Sequence, residues 1–232
     1  MEKVIHCCWF SGEEKPALMR RCLASWRKFA PDFEVREWDV PRLRGLVGSS
    51  PATQGRLPAF VEEALKAKKW AFASDWARFA VVAAEGGVYL DLDVELIRPI
   101  DDLLAEGAFF ALSSDDPPWV DPGLGFAAEK GDAVCAAIAR KYEAMTFDPA
   151  CHLTQTCPAI VNAILKDYPA RRLLPASVFN PKGTCAGKVR VTSETRAIHH
   201  FAASWFNWRQ RLAYKILPRL KLDWILRLWF RR

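Results

Sequence analysis

Strand-like and helix-like patterns of apolar residues alternate along the first half of the chain, and together they indicate an α/β fold. Residues 3–9 and 33–38 have the pattern of short strands, with apolar and polar positions alternating in the second of them. Residues 15–29 and 57–69 instead repeat their apolar positions every three or four residues, as a helix with one buried face does. Because strands and helices alternate, the sequence predicts a doubly wound sheet, which binds its ligands at the carboxyl ends of its strands.

The second half of the chain continues this alternation more weakly. The predicted elements there are a strand over 107–112, a polar and proline-containing loop over 113–122, a strand around Phe126, helices over 132–145 and 154–167, and loops with short strands over 170–196. A chain of 232 residues suits one α/β domain of this kind with a modest extension.

The central segment, residues 73–94, joins a helix pattern, two glycines and an apolar strand. Ser74 is a predicted N-cap, which puts the charged pair Asp75 and Arg78 near the start of the helix, and Gly86-Gly87 is the predicted stop. The apolar positions that define this helix are Trp76, Phe79, Ala80 and Ala83.

Two carboxylates, Asp91 and Asp93, follow at the end of the predicted strand. Since side chains alternate along a strand, Tyr89, Asp91 and Asp93 are expected on one face, opposite the apolar positions between them. Two hard oxygen ligands on one face, with room for phosphate oxygens, predict a site for Mg²⁺ or Mn²⁺ held jointly by the protein and a nucleoside diphosphate. An isolated Asp-x-Asp pair is common, however, and could be two solvated carboxylates.

The spaced elements Ser-Asp-x-x-Arg (74–78) and Gly-Gly-x-Tyr-x-Asp-x-Asp (86–93) resemble glycosyltransferase family 32. That family contains Och1-like mannosyltransferases and bacterial capsular-polysaccharide sugar transferases, and the elements also resemble, more distantly, the glucosyltransferase domains of the large clostridial toxins. The chain departs from the family pattern at Asp121-Pro122 and at Cys157-Pro158. The other segments that carry the resemblance are Lys3–Phe10, Gly123–Gly131 and Ala197–Trp205.

The resemblance implies a GT-A type, Rossmann-like nucleotide-sugar-binding domain over residues 1–205, and retaining transfer of a sugar from a UDP- or GDP-linked donor. Asp91 and Asp93 are then the catalytic pair. Asp93 is expected to bind the metal directly, while Asp91 binds it through water or holds hydroxyl groups of the donor. A double-displacement route would also need a carboxylate nucleophile. The sequence does not choose among three carboxylates for that role, which are Asp115, Asp116 and Asp121.

The same resemblance implies the donor-binding residues. Trp9 is expected to stack on the nucleotide base. Asp75, Arg78 and Tyr89 are expected to contact the donor, and the pair Ser204-Trp205 to close over the diphosphate and exclude water. On spacing alone, Asp75 and Arg78 could equally form an intrahelical ion pair, and Trp9 could be a core residue.

Two adjacent histidines, His199 and His200, offer one more metal ligand. Neighbouring residues of an extended chain point in different directions, so at most one of them is expected to reach the metal, and His200 is the prediction. Either residue could instead be a structural histidine bonded to the backbone.

Two other functions fit parts of the sequence. The run Leu90-Asp-Leu-Asp-Val94 satisfies the nucleophile motif of haloacid-dehalogenase-like metal-dependent phosphatases. That motif normally lies on the first strand, whereas here about 90 residues with their own strands precede it. The other function is that of a non-catalytic adaptor at a membrane surface, in which the acidic pair would be vestigial.

Positive charge is concentrated at the end of the chain. The whole chain has a formal net charge of +6, but residues 206–232 contain eight basic residues and one acidic residue, so the remainder is close to neutral. The domain is therefore not expected to bind nucleic acid. Trp and Leu residues interleave with these basic residues, and Pro218 should divide the segment into two short amphipathic helices. This pattern predicts an anchor on an anionic membrane, with a helix packed on the core as the alternative.

Cysteine usage and the start of the chain indicate the cellular context. Seven cysteines, an odd number without a Cys-x-x-Cys pair, predict reduced thiols in a reducing cytoplasm and argue against a zinc site. The chain begins with a strand pattern rather than a secretory signal. The expected location is the cytoplasm or the inner face of the cytoplasmic membrane, and the expected acceptor is a glycan or a polyprenyl-linked saccharide of surface-polysaccharide biosynthesis.

Overall fold

A mixed seven-stranded sheet forms the centre of the fold in a computed structural model that describes residues 1–48, 55–148, 156–183 and 188–202. The strands are β1 (Val4–Cys8), β2 (Glu34–Trp38), β3 (Gly87–Tyr89), β4 (Val94–Leu96), β5 (Phe109–Asp115), β6 (Pro118–Val120), β7 (Phe126–Ala128), β8 (Leu173–Leu174) and β9 (Ala197–His199). The helices are α1 (Ala17–Phe29), α2 (Val40–Gly48), α3 (Ala59–Lys66), α4 (Trp70–Glu85), α5 (Asp101–Ala105), α6 (Ala133–Glu143), α7 (Cys157–Leu165) and α8 (Ala176–Phe179).

The strands of the main sheet follow the order β2-β1-β3-β7-β5-β6, and β8 pairs with β5. Strand β1 lies parallel to both β2 and β3, so these three strands end at the same edge. Strand β7 runs antiparallel between β3 and β5. The remaining strands, β4 and β9, form a separate antiparallel ribbon in which Val94 pairs with His199.

Helices cover both faces of the main sheet, as the alternation in the sequence predicts. Along β5, Phe110 belongs to one buried apolar cluster, and its neighbours Phe109 and Ala111 belong to a second. The first cluster contains residues of α2, α3, α4, α6 and α7, and the second contains residues of α1, α5, α8 and the β4–β9 ribbon. The side-chain period of two therefore sends successive residues of one strand into two different cores.

Two glycines end α4 and turn the chain into β3, which confirms the predicted stop. Gly86 and Gly87 have φ angles of 73° and 106°, a region that side chains other than glycine rarely adopt. A Cβ on Gly86 would lie 2.8 Å from the backbone nitrogen of Lys130, and one on Gly87 would lie 2.7 Å from the carbonyl oxygen of Val4. No residue with a Cβ atom can replace either glycine unless the backbone moves.

The predicted start of α4 is wrong. The helix begins at Trp70, and Ser74 lies inside it, where its hydroxyl group donates to the carbonyl oxygen of Ala71. No side chain caps this helix; it begins after Lys68, whose φ of 54° makes the sharp turn out of α3. Asp75 therefore lies in the middle of a buried helix rather than at an exposed end.

The other predicted strands and helices are present within a few residues of their predicted ends, but several short elements were not predicted. The segment predicted as a polar loop over 113–122 contains the end of β5 and strand β6, which form a hairpin. The three-residue strands β4 and β9 were also missed, because so short a run carries no periodicity.

No helix in the described part of the chain is long and apolar enough to cross a membrane. The predicted helical extension over 206–232, like Ser204 and Trp205, lies outside the described residues.

Candidate active site

The turn between β3 and β4 holds the two carboxylates of the Asp-x-Asp motif. Strand β3 ends at Tyr89, so Asp91 and Asp93 lie beyond the strand rather than on it, contrary to the alternation expected from the sequence. The backbone nitrogen of Asp91 donates to the carbonyl oxygen of Gly123 at 3.2 Å, and the nitrogen of Val94 donates to the carbonyl oxygen of Asp91 at 3.0 Å. These bonds to the backbone fix the turn, and the turn still brings both carboxylates to one place.

Helix α1 holds β4 from the side opposite β9. The indole nitrogen of Trp26 donates to the carbonyl oxygen of Val94 at 2.7 Å, and the hydroxyl oxygen of Ser25 accepts from the backbone nitrogen of Leu96 at 2.9 Å. Both edges of β4 are thus bonded, which restrains the position of Asp93 just before it.

His199 joins the two carboxylates because β9 pairs with β4. One potential ligand atom from each of Asp91, Asp93 and His199 lies within 4.8 Å of the others. The Nε2 atom of His199 lies 3.2 Å from Oδ1 of Asp93, and the backbone nitrogen of Ala202 donates to the other oxygen of Asp93 at 2.7 Å. Among the described residues, these three side chains are the group with the composition of a metal site.

The charges of Asp93 and His199 stabilise each other. Burial opposes ionisation of Asp93, but the nearby His199 imidazole and the Ala202 amide outweigh it and lower the pKa of Asp93 to about 2. Burial likewise opposes a charge on His199, but Asp93 raises the pKa of this histidine to about 9. Without another ligand the two side chains therefore form an ion pair at neutral pH.

His200, which was predicted to be the metal-binding histidine, lies outside this group. Its Nε2 atom lies 2.7 Å from Oε2 of Glu95 and 3.3 Å from a guanidinium nitrogen of Arg21. Neighbouring residues of β9 point to opposite sides, as predicted, but the register with β4 turns His199 rather than His200 towards Asp93. The register of β9 against β4 cannot be read from the sequence, so the sequence could not distinguish the two histidines.

A second group of charged side chains is centred on Arg78. A guanidinium nitrogen of Arg78 lies 3.0 Å from Oδ1 of Asp75 and 3.5 Å from Oδ1 of Asp91. The guanidinium also lies 5.0 Å from the centre of the Tyr89 ring, and the Tyr89 hydroxyl donates to Oδ1 of Asp91 at 2.9 Å. The pair Asp75 and Arg78 is thus not an exposed intrahelical ion pair, because it is buried and extends to the Asp-x-Asp motif.

Burial decides the ionisation of this second group. It raises the pKa of Asp75 to about 7, although the charge of Arg78 acts in the opposite direction. It also raises the pKa of Asp91 above the ordinary range of an aspartate, again against Arg78. Arg78 is therefore the fixed charge on which both carboxylates depend.

Gly123 is a site residue to which the sequence assigned no role. A Cβ at this position would lie 2.5 Å from Oδ2 of Asp91, closer than two such atoms can approach. The resemblance covered the segment that begins with Gly123, but neither the pattern nor the spacing indicated that Asp91, 32 positions earlier in the chain, would lie against its backbone. Only the pairing of β3 with β7 makes this contact.

Trp9 lies just beyond the end of β1, at the edge of the sheet where β3 also ends. Its indole nitrogen donates to the carbonyl oxygen of Glu13 at 2.8 Å, and the ammonium group of Lys15 lies 5.5 Å from its ring. The side chain is half-buried and packs against the second apolar cluster. Its role at the nucleotide base stays a prediction.

The fold is similar to that of a known glycosyltransferase. The solved structure titled "PaToxG Glycosyltransferase" matches 73% of this chain and 70% of its own chain, with a TM-score of 0.55 and 16% sequence identity. This likeness, with the mixed sheet and its covering helices, shows a GT-A type fold and confirms the fold class predicted from the sequence.

The sequence comparisons identify part of the chain more closely. Residues 16–110 match the family described as "Glycosyltransferase sugar-binding region containing DXD motif". The chain is also 31% identical over 108 residues to "Uncharacterized glycosyltransferase L373" of Acanthamoeba polyphaga mimivirus, which covers 46% of this chain and 41% of that protein. These matches confirm the resemblance to glycosyltransferases with an Asp-x-Asp motif, although the chain spans less than half the length of this relative.

Proposed function

We propose that the protein is a metal-dependent glycosyltransferase that moves a sugar from a nucleotide-sugar donor to a saccharide acceptor. The observation that carries the proposal is the group of Asp91, Asp93 and His199, whose ligand atoms lie within 4.8 Å of one another. The two aspartates are the Asp-x-Asp motif of the matched family segment. That match favours sugar transfer over the phosphatase chemistry that the same short motif could serve.

The residues present fit a divalent metal ion. Two carboxylate groups and an imidazole suit Mn²⁺ or Mg²⁺, especially when the oxygens of a diphosphate complete the coordination. In the described part of the chain, Nδ1 of the buried His199 has no hydrogen-bond partner. Because buried polar atoms are nearly always bonded, this is what we expect of a nitrogen that coordinates a metal ion. When bound, such an ion supplies positive charge against the negative charge that develops on the departing nucleoside diphosphate.

The side chains around Arg78 would prepare the site for the donor. Arg78 keeps the carboxylates of Asp75 and Asp91 in fixed positions, and the Tyr89 hydroxyl orients Asp91. Because these groups are already ordered, they would not have to be rearranged when the donor binds. Asp75 is then available to accept hydrogen bonds from hydroxyl groups of the sugar.

The finer parts of the proposal come from the sequence. They are retention of configuration at the anomeric carbon, stacking of Trp9 on the base and closure of Ser204-Trp205 over the diphosphate. The basic segment 206–232 suggests that the acceptor is a polyprenyl-linked saccharide or another surface glycan, reached from the cytoplasmic face of an anionic membrane.

A panel of nucleotide-sugars tests the proposed function. UDP- and GDP-linked hexoses are added with and without Mn²⁺, and the melting temperature and the release of free nucleotide are measured. We expect at least one donor to raise the melting temperature only when Mn²⁺ is present, because a ligand that binds only the folded state stabilises it. Consumption of phosphomonoesters with no effect of any nucleotide-sugar would contradict the proposal.

A further inference from the structure

Asp121 lies next to the Asp-x-Asp motif although it is far from it in sequence. It directly follows β6, and its backbone nitrogen continues the hairpin by donating to the carbonyl oxygen of Ala111 at 3.3 Å. Its Oδ1 atom accepts from the backbone nitrogen of Gly123 at 3.0 Å. The carbonyl oxygen of Gly123 in turn accepts from the backbone nitrogen of Asp91. A short chain of hydrogen bonds thus connects the two aspartates through Gly123.

The carboxylates of Asp121 and Asp91 border the same small space above Gly123. A Cβ on this glycine would lie 2.5 Å from Oδ2 of Asp91 and 3.3 Å from Oδ1 of Asp121. Only the missing side chain at Gly123 allows both carboxylates to occupy these positions. Asp121 is therefore part of the wall of the site, beside Asp91.

The geometry distinguishes Asp121 from the two other carboxylates of this hairpin. Asp115 is exposed, and its Oδ1 atom accepts from the backbone nitrogen of Ala176. Asp116 is exposed as well. Asp121 is half-buried, and its second oxygen, Oδ2, has no hydrogen-bond partner among the described residues. It has one oxygen that fixes the backbone and one that is available to a ligand.

The charges around the site are unequal. Arg78 is shared by two aspartates and His199 is paired with Asp93, whereas no ion pair to Asp121 exists among the described residues. Among the described residues, Asp121 is thus a carboxylate of the site without a cationic side chain of its own. An uncompensated carboxylate attracts hydroxyl donors and repels another carboxylate.

An aromatic side chain emerges on the same face of the hairpin as Asp121. Side chains alternate along β6, so Trp119 and Asp121 point to one side, while Val120 between them is buried on the other. Trp119 is 41% exposed, which is unusual for so large an apolar group. A flat ring beside a carboxylate is a surface that suits a sugar ring, which has an apolar face and a rim of hydroxyl groups.

We propose that Asp121 is a specificity-determining residue that accepts hydrogen bonds from hydroxyl groups of the transferred sugar and excludes sugars that have a carboxylate of their own. This inference rests on the proposed function. It adds the substrate class, a neutral hydroxyl-rich sugar in preference to a uronic acid. The Asp121 carboxylate would attract the hydroxyl groups of a neutral sugar and repel the carboxylate of a uronic acid. Specific binding sites commonly combine attraction of one ligand with repulsion of its competitor.

The test compares Asp121→Asn with the wild-type protein. Asparagine has the same shape and keeps an oxygen for the amide of Gly123, so it removes the charge without removing the bond that fixes the backbone. Asp121→Ser, which also keeps an acceptor, serves as a second variant if the first is unstable, and Asp116→Asn is the matched control in the same hairpin. The donors are neutral and acidic pairs, UDP-glucose with UDP-glucuronate and GDP-mannose with GDP-mannuronate, each with Mn²⁺.

The comparison uses the donor pair whose nucleotide the wild-type protein accepts. We expect Asp121→Asn to lower kcat/KM for the neutral sugar about tenfold. The ratio of kcat/KM for the neutral sugar to kcat/KM for the uronate should fall about tenfold or more. Binding of the free nucleoside diphosphate with Mn²⁺ should stay unchanged, and so should every value for Asp116→Asn. An unchanged preference in an active Asp121→Asn protein would overturn this inference alone. A wild-type protein that neither binds nor cleaves any nucleotide-sugar would overturn the proposed function and this inference with it.

Discussion

The site has two halves that hold their carboxylates in opposite ways. Around Arg78, the buried Asp75 and the partly exposed Asp91 depend on a cation that never loses its charge, and burial raises the pKa of Asp75 to about 7. Around His199, Asp93 depends on a cation that titrates, and its own pKa falls to about 2. An arginine cannot give up its place to a metal ion, whereas a histidine can lose its proton and become a ligand. The first half is therefore a fixed scaffold, and the second half is where we expect the ion to bind.

Removing Arg78 should break the first half and have the largest effect. In Arg78→Met, Asp75 stays buried without its cation and the partly exposed Asp91 loses the same partner, so we expect a loss of about 3–5 kcal/mol in the free energy of unfolding, measured with urea. The matched control is Arg36→Met, because Arg36 pairs with Glu34 and Glu85 near the surface. Its expected loss is no more than about 1 kcal/mol. Equal stabilities of the two variants would show that Arg78 is not the centre of a buried network.

Replacing His199 should instead affect metal binding far more than folding. We expect His199→Gln to weaken Mn²⁺ binding about 100-fold in calorimetric titration, because one of three protein ligands is lost. His200→Gln is the natural control, since His200 contacts Glu95 and Arg21 instead. Its Mn²⁺ affinity should stay within about threefold of the wild type. The reverse ranking of the two variants would restore His200 as the ligand.

Gly123→Ala should disturb Asp91 without removing any charge. The added Cβ would lie 2.5 Å from Oδ2 of Asp91 and must displace it. We expect kcat for the cleavage of the preferred nucleotide-sugar to fall about 10- to 100-fold, as small displacements of positioned groups do. The control is Gly45→Ala, where a Cβ meets nothing within 4 Å and should leave kcat unchanged. Normal kcat in Gly123→Ala would mean that the position of Asp91 is not critical.

The pH dependence of metal binding should be the most specific effect. The pKa of His199 is about 9 in the metal-free protein, so an ion must displace a proton at any lower pH. Between pH 9 and pH 7 we therefore expect the Mn²⁺ affinity to fall about tenfold per unit as the pH is lowered. His199→Gln should show a much flatter dependence, and a flat dependence in the wild type would exclude His199 as a ligand.

The two halves also differ in how far the sequence could predict them. One continuous segment contains Asp75, Arg78, Tyr89 and Asp91, and the resemblance of its spaced motifs to a glycosyltransferase family was enough to assign them to one site. The start of that helix was wrong because a side-chain cap was expected where the chain simply turns after α3. The error did not move the four residues relative to one another.

The parts of the site that depend on distant pairing could not be predicted in the same way. The choice between His199 and His200 follows from the register of β9 against β4, and both strands have only three residues. The approach of Gly123 to Asp91 follows from the pairing of β3 with β7. No local pattern encodes either register, because a shift by one residue would exchange the faces without changing the sequence.

Calorimetric titration of a nucleoside diphosphate into the wild-type protein and into Asp93→Asn, each with and without Mn²⁺, tests the central claim most directly. The claim is that Asp91, Asp93 and His199 hold a divalent ion jointly with the donor's diphosphate. It predicts that wild-type protein binds UDP or GDP tightly only with Mn²⁺, and that Asp93→Asn has lost this dependence while remaining folded. Binding that is equally tight without Mn²⁺, or Mn²⁺-dependent binding that survives in Asp93→Asn, would contradict it.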